Sequence, residues 1–407
     1  MPQQLGSRFS KLWAAAGISN LGDGIMGVAF PLLVASITRD PIAVAVATVI
    51  NRLPWLLFAL VSGALVDRLD RRKVMVIADS FRAVVAGALG VMLLAGDAGL
   101  PVIYFVGFLL GLAETFFDTS AEAILPSLVS DDLLPLANGR LQAAEWVGNA
   151  FIGPPIGAFL FAMSAGLPFL VDSGTFVLAA VLVAMIGGKY RSERTDSEAS
   201  LRADIGEGLS WLWGHLVLRT LSIMAGITNM VTFGIIAIFV LFIQDIVGLG
   251  DVGYGLIISA LGVGGLIGAF ISGPLVRKLG SGTTLLCSVG ISVFASLVTG
   301  FTSEAWLVAV MVALYGLSVT TWNVVAVSLR QSLTPDALRG RVASVSRMFS
   351  WGTQPVGALL GGIIASWIGL RGPFFVSAAV LLVMLIATAP IVNNHRISAL
   401  KTAAGAN

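Results

Sequence analysis

The chain has 407 residues, of which 57% are hydrophobic and only 11% charged, with a formal net charge of +2. A soluble domain averages roughly 25% charged residues, so this composition excludes an ordinary soluble protein, and the near-neutral charge excludes a nucleic-acid partner, which needs a clustered basic face. One cysteine, Cys287, and two histidines, His215 and His395, exclude a disulfide framework and a Cys- or His-built metal site, so no metal and no cofactor are expected.

A hydrocarbon core of about 30 Å needs about 20 apolar residues per helical crossing. Segments of that kind run, in chain order, over 12–37, 42–66, 74–95, 101–125, 139–163, 167–188, 220–244, 253–275, 282–301, 305–328, 342–366 and 373–392. Lipid offers backbone polar groups no partner, so each segment reads as a helix despite its Val and Ile content. Arg8 and Lys11 precede the first segment, which ends in no small-residue cleavage site and reads as a retained helix. The expected fold class is an all-α membrane protein of twelve transmembrane helices, with six-helix halves at 1–188 and 220–407. Between them, 189–219 is a polar linker with Arg191, Glu193, Arg194, Asp196 and Glu198. Its second part sets Leu201, Ile205, Leu209 and Leu212 at helical spacing beside Trp211 and Trp213, which fits an amphipathic helix on the membrane surface and equally a plain linker helix.

With a cytoplasmic N-terminus, nineteen Lys and Arg residues fall on the cytoplasmic side, and only Arg39 and Arg371 fall outside. The positive-inside rule therefore puts both termini and the linker in the cytoplasm. Trp13, Trp306 and Trp367, near segment ends, read as interfacial anchors. The halves also echo each other. Gly63-Ala-Leu-Val-Asp67-Arg68-Leu-Asp70-Arg71-Arg72-Lys73 corresponds to Gly273-Pro-Leu-Val-Arg277-Lys278-Leu-Gly280, and Asn138-Gly139-Arg140-Leu141 to Arg339-Gly340-Arg341-Val342. Pro154 and Pro355 each follow the matching Arg by the same interval, with Gly153-x-x-x-Gly157 and Gly357-x-x-x-Gly361 around them. Small residues let helices approach closely, and the prolines, with Pro155, bend them. Parallel repeats of this kind build secondary transporters.

These residues resemble the major facilitator superfamily over essentially the whole chain. The most specific match is Gly63-x-Leu65-x-Asp67-Arg68-x-x-Arg71-Arg72, similar to the superfamily's signature between helices two and three. Arg52-x-Pro54-Trp55, Asp79-x-x-Arg82, Gly111-Leu-Ala-Glu114-Thr-Phe-Phe-Asp118, and Asn138 to Glu145 running on to Gly153-Pro154-Pro155-Ile-Gly157, resemble the drug:proton antiporter branch with its macrolide and siderophore exporters. The resemblance departs at helix four, which is acidic here instead of basic, and helix five matches only in part. It implies a relay in which Asp67 and Arg71 work with Glu122 to hold the inner gate, with Gly63, Arg68 and Arg72 in the same motif. Simple membrane orientation is the other reading of those loop charges.

Gly187-Gly188-Lys189-Tyr190 lacks the hydroxyl of a phosphate-binding loop, so an ion gradient is the expected fuel. That requires ionisable groups at depth, where a charge costs several kcal/mol unless paired or hydrated. Seven acidic residues lie in predicted helices, all in the first half: Asp23, Asp79, Glu114, Asp118, Glu122, Glu145 and Asp172. Arg52 and Arg82 accompany them, against Arg347 alone in the second half. At about 1.5 Å per residue, Asp23, Arg52 and Glu114 fall near mid-depth and are expected to form one cluster, either functional or merely locking helices. Glu114, Asp118 and Glu122 are four apart on one helix face, and carboxylates so crowded cannot all carry charge. The proton-coupling set is therefore Asp23, Arg52, Glu114 and Asp118. Asn20, Asn229, Trp322, Asn323, Trp351 and Gln354 are candidate lining of a substrate cavity.

The expected function is alternating-access export of a hydrophobic or amphiphilic small molecule (drug, macrolide or siderophore-like metabolite) against protons. The protein is expected to work as a monomer in the bacterial cytoplasmic membrane, with substrate, protons and membrane lipids as its partners. A lysophospholipid flippase or an uptake carrier of the same fold is the alternative. An intramembrane enzyme would need a convergent nucleophile, base or metal set, and no catalytic residue of that kind is evident. A receptor or scaffold would have no use for the acidic face.

Overall fold

Apolar runs of this length satisfy their backbone groups as helices, and helices are what form. The structure, a computed structural model, describes residues 5–66, 68–188, 190, 201–335 and 338–405. Asp67 and the linker charges Lys189, Arg191, Glu193, Arg194, Asp196 and Glu198 lie outside the described residues. In order, the helices are α1 (Gly6–Ile37), α2 (Pro41–Val66), α3 (Arg71–Ala95), α4 (Leu100–Ile124), α5 (Leu134–Glu145), α6 (Gly153–Met163), α7 (Leu167–Ala184) and α8 (Leu201–Gly214). They continue as α9 (Leu216–Leu241), α10 (Asp251–Leu279), α11 (Ser281–Phe301), α12 (Ala305–Leu333), α13 (Arg339–Gly352), α14 (Gln354–Ile368), α15 (Gly372–Thr388) and α16 (Asn394–Gly405). No strand occurs among the described residues.

Among the described residues, ten stretches are long and apolar enough to cross a membrane as single helical runs. The eleventh and twelfth predicted segments are not among them. The eleventh is divided at Thr353 into α13 and α14, because Pro355 brings no N–H to the ladder. The Thr353 hydroxyl donates instead to the Gly226 carbonyl of α9 at 2.9 Å. The twelfth is the 17-residue α15, an apolar helix shorter than the ten. The fifth predicted segment survives Pro154 and Pro155 differently. Its backbone widens to π-helical turns over Trp146–Ile152 between α5 and α6, and the Gly153 N–H reaches back to the Gly148 carbonyl. The seventh continues past 244 through Phe242–Val247, which carries Asp245 into its last turn and qualifies the expectation that no acidic residue lies in second-half helices.

The fold divides into two compact units, one of Met1–Thr195 with Leu249–Ser259, the other of Asp196–Gly248 with Ala260–Asn407. In the first, α1 packs on α6 and α7, α3 on α4 and α7, and α2 on α4. One cluster of its core joins Phe9 and Leu12 of α1, Met75 of α3, Phe117 of α4 and Val183 of α7. In the second, α9 packs on α14, and α11 on α12 and α15. Its core runs from Leu218 and Met224 through Leu285, Leu329 and Val342 to Leu381. α8 turns Leu209, Trp211 and Leu212 into that core, so this face of the helix meets protein, and Glu207 pairs with Arg341 of α13 at 2.6 Å. His215, capping α9, stacks on Trp211 at 5.5 Å, and burial holds its imidazole below its ordinary range. Trp306 and Trp367, near helix ends, are 65% and 81% exposed.

Both units use glycine to bring helix backbones together. In the first, Gly24 of α1 meets the backbone around Gly148 and Gly153, and in the second, Gly234 of α9 meets Gly357 and Gly361 of α14. The packing reading of the two glycine motifs is what the structure displays. A Cβ at Gly361 would collide with the Gly234 carbonyl, whereas one at Gly290 of α11 meets only Leu385 at 4.0 Å. Gly361→Ala is expected to destabilise the purified protein by about 1–3 kcal/mol through overpacking, while Gly290→Ala leaves the melting temperature in detergent within error. Equal melting of the two variants would count against this contact.

Candidate functional site

Asp79 and Arg82 stand three apart on α3, on one face of a helix that packs on α7 and α4, and Asp23 and Ser19 of α1 reach Arg82 with their side chains. Arg82 is 2% exposed, and Asp79 and Asp172 of α7 are 0% exposed. The Arg82 guanidinium forms an ion pair with Asp23 of α1 and donates from Nη1 to the Ser19 hydroxyl at 3.5 Å. The same Nη1 lies 3.7 Å from Asp79 Oδ1, and the guanidinium carbon lies 3.9 Å above the Phe176 ring of α7. A buried charge persists only when paired and hydrogen-bonded, and Arg82 is the charge these carboxylates share. Asp172 is approached by the Thr175 hydroxyl at 3.0 Å from its Oδ1. Gly22 makes room for this: a side chain there would strike both Asp172 and Thr175.

Arg52 of α2 pairs with Glu114 of α4 at 3.9 Å, in a partly exposed setting. Within the expected cluster of Asp23, Arg52 and Glu114, Asp23 pairs with Arg82 of α3, which the sequence reading had not assigned, and Arg52 pairs with Glu114. α1 touches both α2 and α4, and α2 lies against α4. The two pairs still share one field, because Glu114 and Arg52 act electrostatically on Asp23, and Asp118 feels Glu114, Asp23, Arg82 and Glu145. Glu122 is exposed at the end of α4.

At the same end of the bundle, Asp70 caps α3 by accepting the Arg72 N–H at 3.1 Å. Arg71 donates to the Ala123 carbonyl at 2.8 Å, one residue beyond Glu122. Arg72 donates to the Ile186 carbonyl and Lys11 to the Met185 carbonyl, each at 2.8 Å, so two cations meet the C-terminal end of α7. Gly63 ends no helix and has open space around its Cα; Arg68 is exposed. Asp67, the first member of the expected relay, lies outside the described residues.

Of the candidate cavity residues, Asn20 belongs to the first unit, where its amide donates to the Ala16 carbonyl at 2.8 Å. In the second unit the structure joins two of them, since the Gln354 amide donates to Asn229 Oδ1 at 3.1 Å. Nearby on α9, Thr232 shares a hydrogen bond of 2.6 Å with Tyr315 of α12, a pair the sequence reading did not single out. Trp322 is half-buried, Asn323 is exposed, and Trp351 carries Arg347 at 5.6 Å from its ring. The sequence reading also left Asp79, Arg82 and Asp172 unassigned. Their spacing on α3 was visible; the approach of α7 was not.

The family described as transmembrane secretion effector matches residues 5–403. The multidrug efflux pump Tap of Mycolicibacterium fortuitum is 29% identical over 88% of this chain and 90% of its own length. Macrolide efflux protein A of Streptococcus pyogenes is 23% identical over 96% of both chains. The enterobactin exporter EntS of Escherichia coli is 25% identical over 87% of this chain and 85% of its own. Among solved structures, a bacterial homologue of the iron transporter ferroportin in its inward-facing state superposes with a TM-score of 0.76 at 19% identity, covering 94% of this chain and 98% of that one, a likeness of fold. A match over nearly the whole length, a fold of apolar helices shared with known carriers and the charged loop from Gly63 to Arg72 lead to one conclusion: the chain is a multi-pass membrane protein that belongs to the transmembrane secretion effector family of the major facilitator superfamily.

Proposed function

We propose that the protein exports a hydrophobic or amphiphilic small molecule, of the drug, macrolide or siderophore-like kind, in exchange for protons by alternating access. It does so as a monomer in the bacterial cytoplasmic membrane, with twelve crossings, both termini inside, six-helix halves at 1–188 and 220–407 and a cytoplasmic linker at 189–219. The observation that carries this reading is the concentration of ionisable side chains in one unit of an otherwise apolar chain. Ionisable groups at membrane depth mark ion pathways by default, and the three relatives named above carry efflux or export in their names. Glu114 and Asp118 exchange the transported proton, with Asp23 and Arg52 setting their field. Asp67, Arg71 and Glu122 hold the inner gate, the contact of Arg71 with the end of α4 being the visible part. Asn20, Asn229, Trp322, Asn323, Trp351 and Gln354 serve the substrate cavity. A susceptibility screen of a strain stripped of its own pumps, with and without the protein, identifies the substrate class.

Three outcomes test this reading. In proteoliposomes with an imposed pH gradient, Glu114→Gln with Asp118→Asn loses uphill accumulation and keeps downhill exchange; a double variant that concentrates substrate like the wild type makes those carboxylates structural. Asp67→Asn slows transport while substrate binding persists, and wild-type flux by that variant removes the relay. In a Cys287→Ser background on intact cells, an impermeant thiol reagent labels Asp251→Cys but not Ser197→Cys, a position outside the described residues; the reverse pattern inverts the topology.

A further inference from the structure

The charges behind Asp23 do not balance. Asp23 and Asp79 pair with one guanidinium, Arg82, and Asp172 stands on α7 one turn from the Phe176 ring beneath that guanidinium; Asp79 and Asp172 are fully buried. The elements packed around Asp172 bring no other cation. α1 faces it with Asp23, α3 with Asp79 and Arg82, and α6 has no ionisable side chain. Glu114 and Asp118 of α4 only add negative charge to the neighbourhood, Arg52 is engaged by Glu114, and Lys11 is held at the far end of α7. No hydrogen-bond donor among the described residues reaches either oxygen of Asp79, or Oδ2 of Asp172. Two bare carboxylates at such a place would each cost several kcal/mol.

The hydrogen bonds point to where a proton sits. The Thr175 hydroxyl has one hydrogen and lies 2.8 Å from the Asp172 backbone carbonyl, the usual back-bond of a helical threonine. Given to that carbonyl, the hydrogen is no longer available to Asp172 Oδ1 at 3.0 Å. The contact is then a hydrogen bond only if the carboxyl itself donates.

We propose that Asp172 and Asp79 form a second proton site of this transporter, which shares Arg82 with Asp23; the inference rests on the proton-coupled reading above. When Asp23 takes a proton from water, an O–H bond forms there and its hold on Arg82 is lost. The guanidinium turns to Asp79 and Asp172, the O–H bond of Asp172 breaks, and that proton leaves to water. One proton enters, one departs, and the charge of the four groups is unchanged. A sodium ion in the same place would face the guanidinium as a like charge, which favours the proton.

Infrared difference spectroscopy of the reconstituted protein reads this directly. The wild type shows a protonated-carboxyl band at neutral pH that Asp172→Asn loses and Glu114→Gln retains, and Asp172→Asn also loses pH-driven accumulation while exchanging downhill. An unchanged band in Asp172→Asn, or full uphill transport by it, overturns the proposal. Loss of the wild-type band when sodium chloride replaces potassium chloride shows a sodium site and overturns it as well. Should Asp172→Asn fail to fold, Thr175→Val carries the test, since removing the acceptor must shift the band if the assignment holds and leave it in place if it does not. A wild type that has the band but ignores an imposed pH gradient sustains the protonated site and removes the antiport reading instead.

Discussion

In a medium without water, a polar group keeps only the partners that the chain itself brings, and each one left over costs several kcal/mol. The described fold follows from that accounting. Backbones close on themselves as helices, and buried hydroxyls return to their own helix, as Thr115 does to the Gly111 carbonyl at 2.8 Å and Ser288 to Thr284 at 2.9 Å. Helix ends are met by cations from neighbours, with Arg72 and Lys11 at α7 and Arg371 reaching the Gly300 carbonyl of α11 at 2.6 Å. Where proline removes a donor, the ladder widens into π turns or stops at a threonine that bonds across to α9.

Between apolar helices in lipid no hydrophobic difference drives association, so close packing must supply it. The glycines on α1, α6, α9 and α14 do this within each unit, and a glycine motif on corresponding helices of the two halves is the physical content of the internal repeat. Seams also carry hydroxyl pairs, such as Ser292 with Ser318 at 2.7 Å between α11 and α12. These contacts are neutral and hold shape. The second unit is built mostly of such bonds.

Charge is spent in the first unit. Arg82 pairs with two carboxylates, Asp23 and Asp79, with an aromatic ring beneath it, and a second pair, Arg52 with Glu114, adds to the same field. Removing Arg82 would strand buried carboxylates, and removing any one of them would change the claim of the others on it. Groups so interdependent are suited to trading protons, which gives the exporter reading a physical basis beyond family likeness.

The sequence by itself determined the helical class, because only helices satisfy apolar runs of this length, and it carried the repeat, the glycine motifs and the family signature in contiguous residues. It showed which ionisable residues fall inside the apolar runs, since that is read from position along a run. It could not determine their partners. Asp23 was grouped with Arg52 and Glu114 on depth alone, and the tertiary structure added Arg82 of α3 as its ion-pair partner, which position along α1 does not encode. The divided eleventh segment, the π turns before Pro154 and the docking of α8 through Leu209 and Leu212 were likewise decided by neighbours. Asp172 is the extreme case: its surroundings come from α1, α3 and α7 at once, and no spacing within α7 encodes what the other two bring to it.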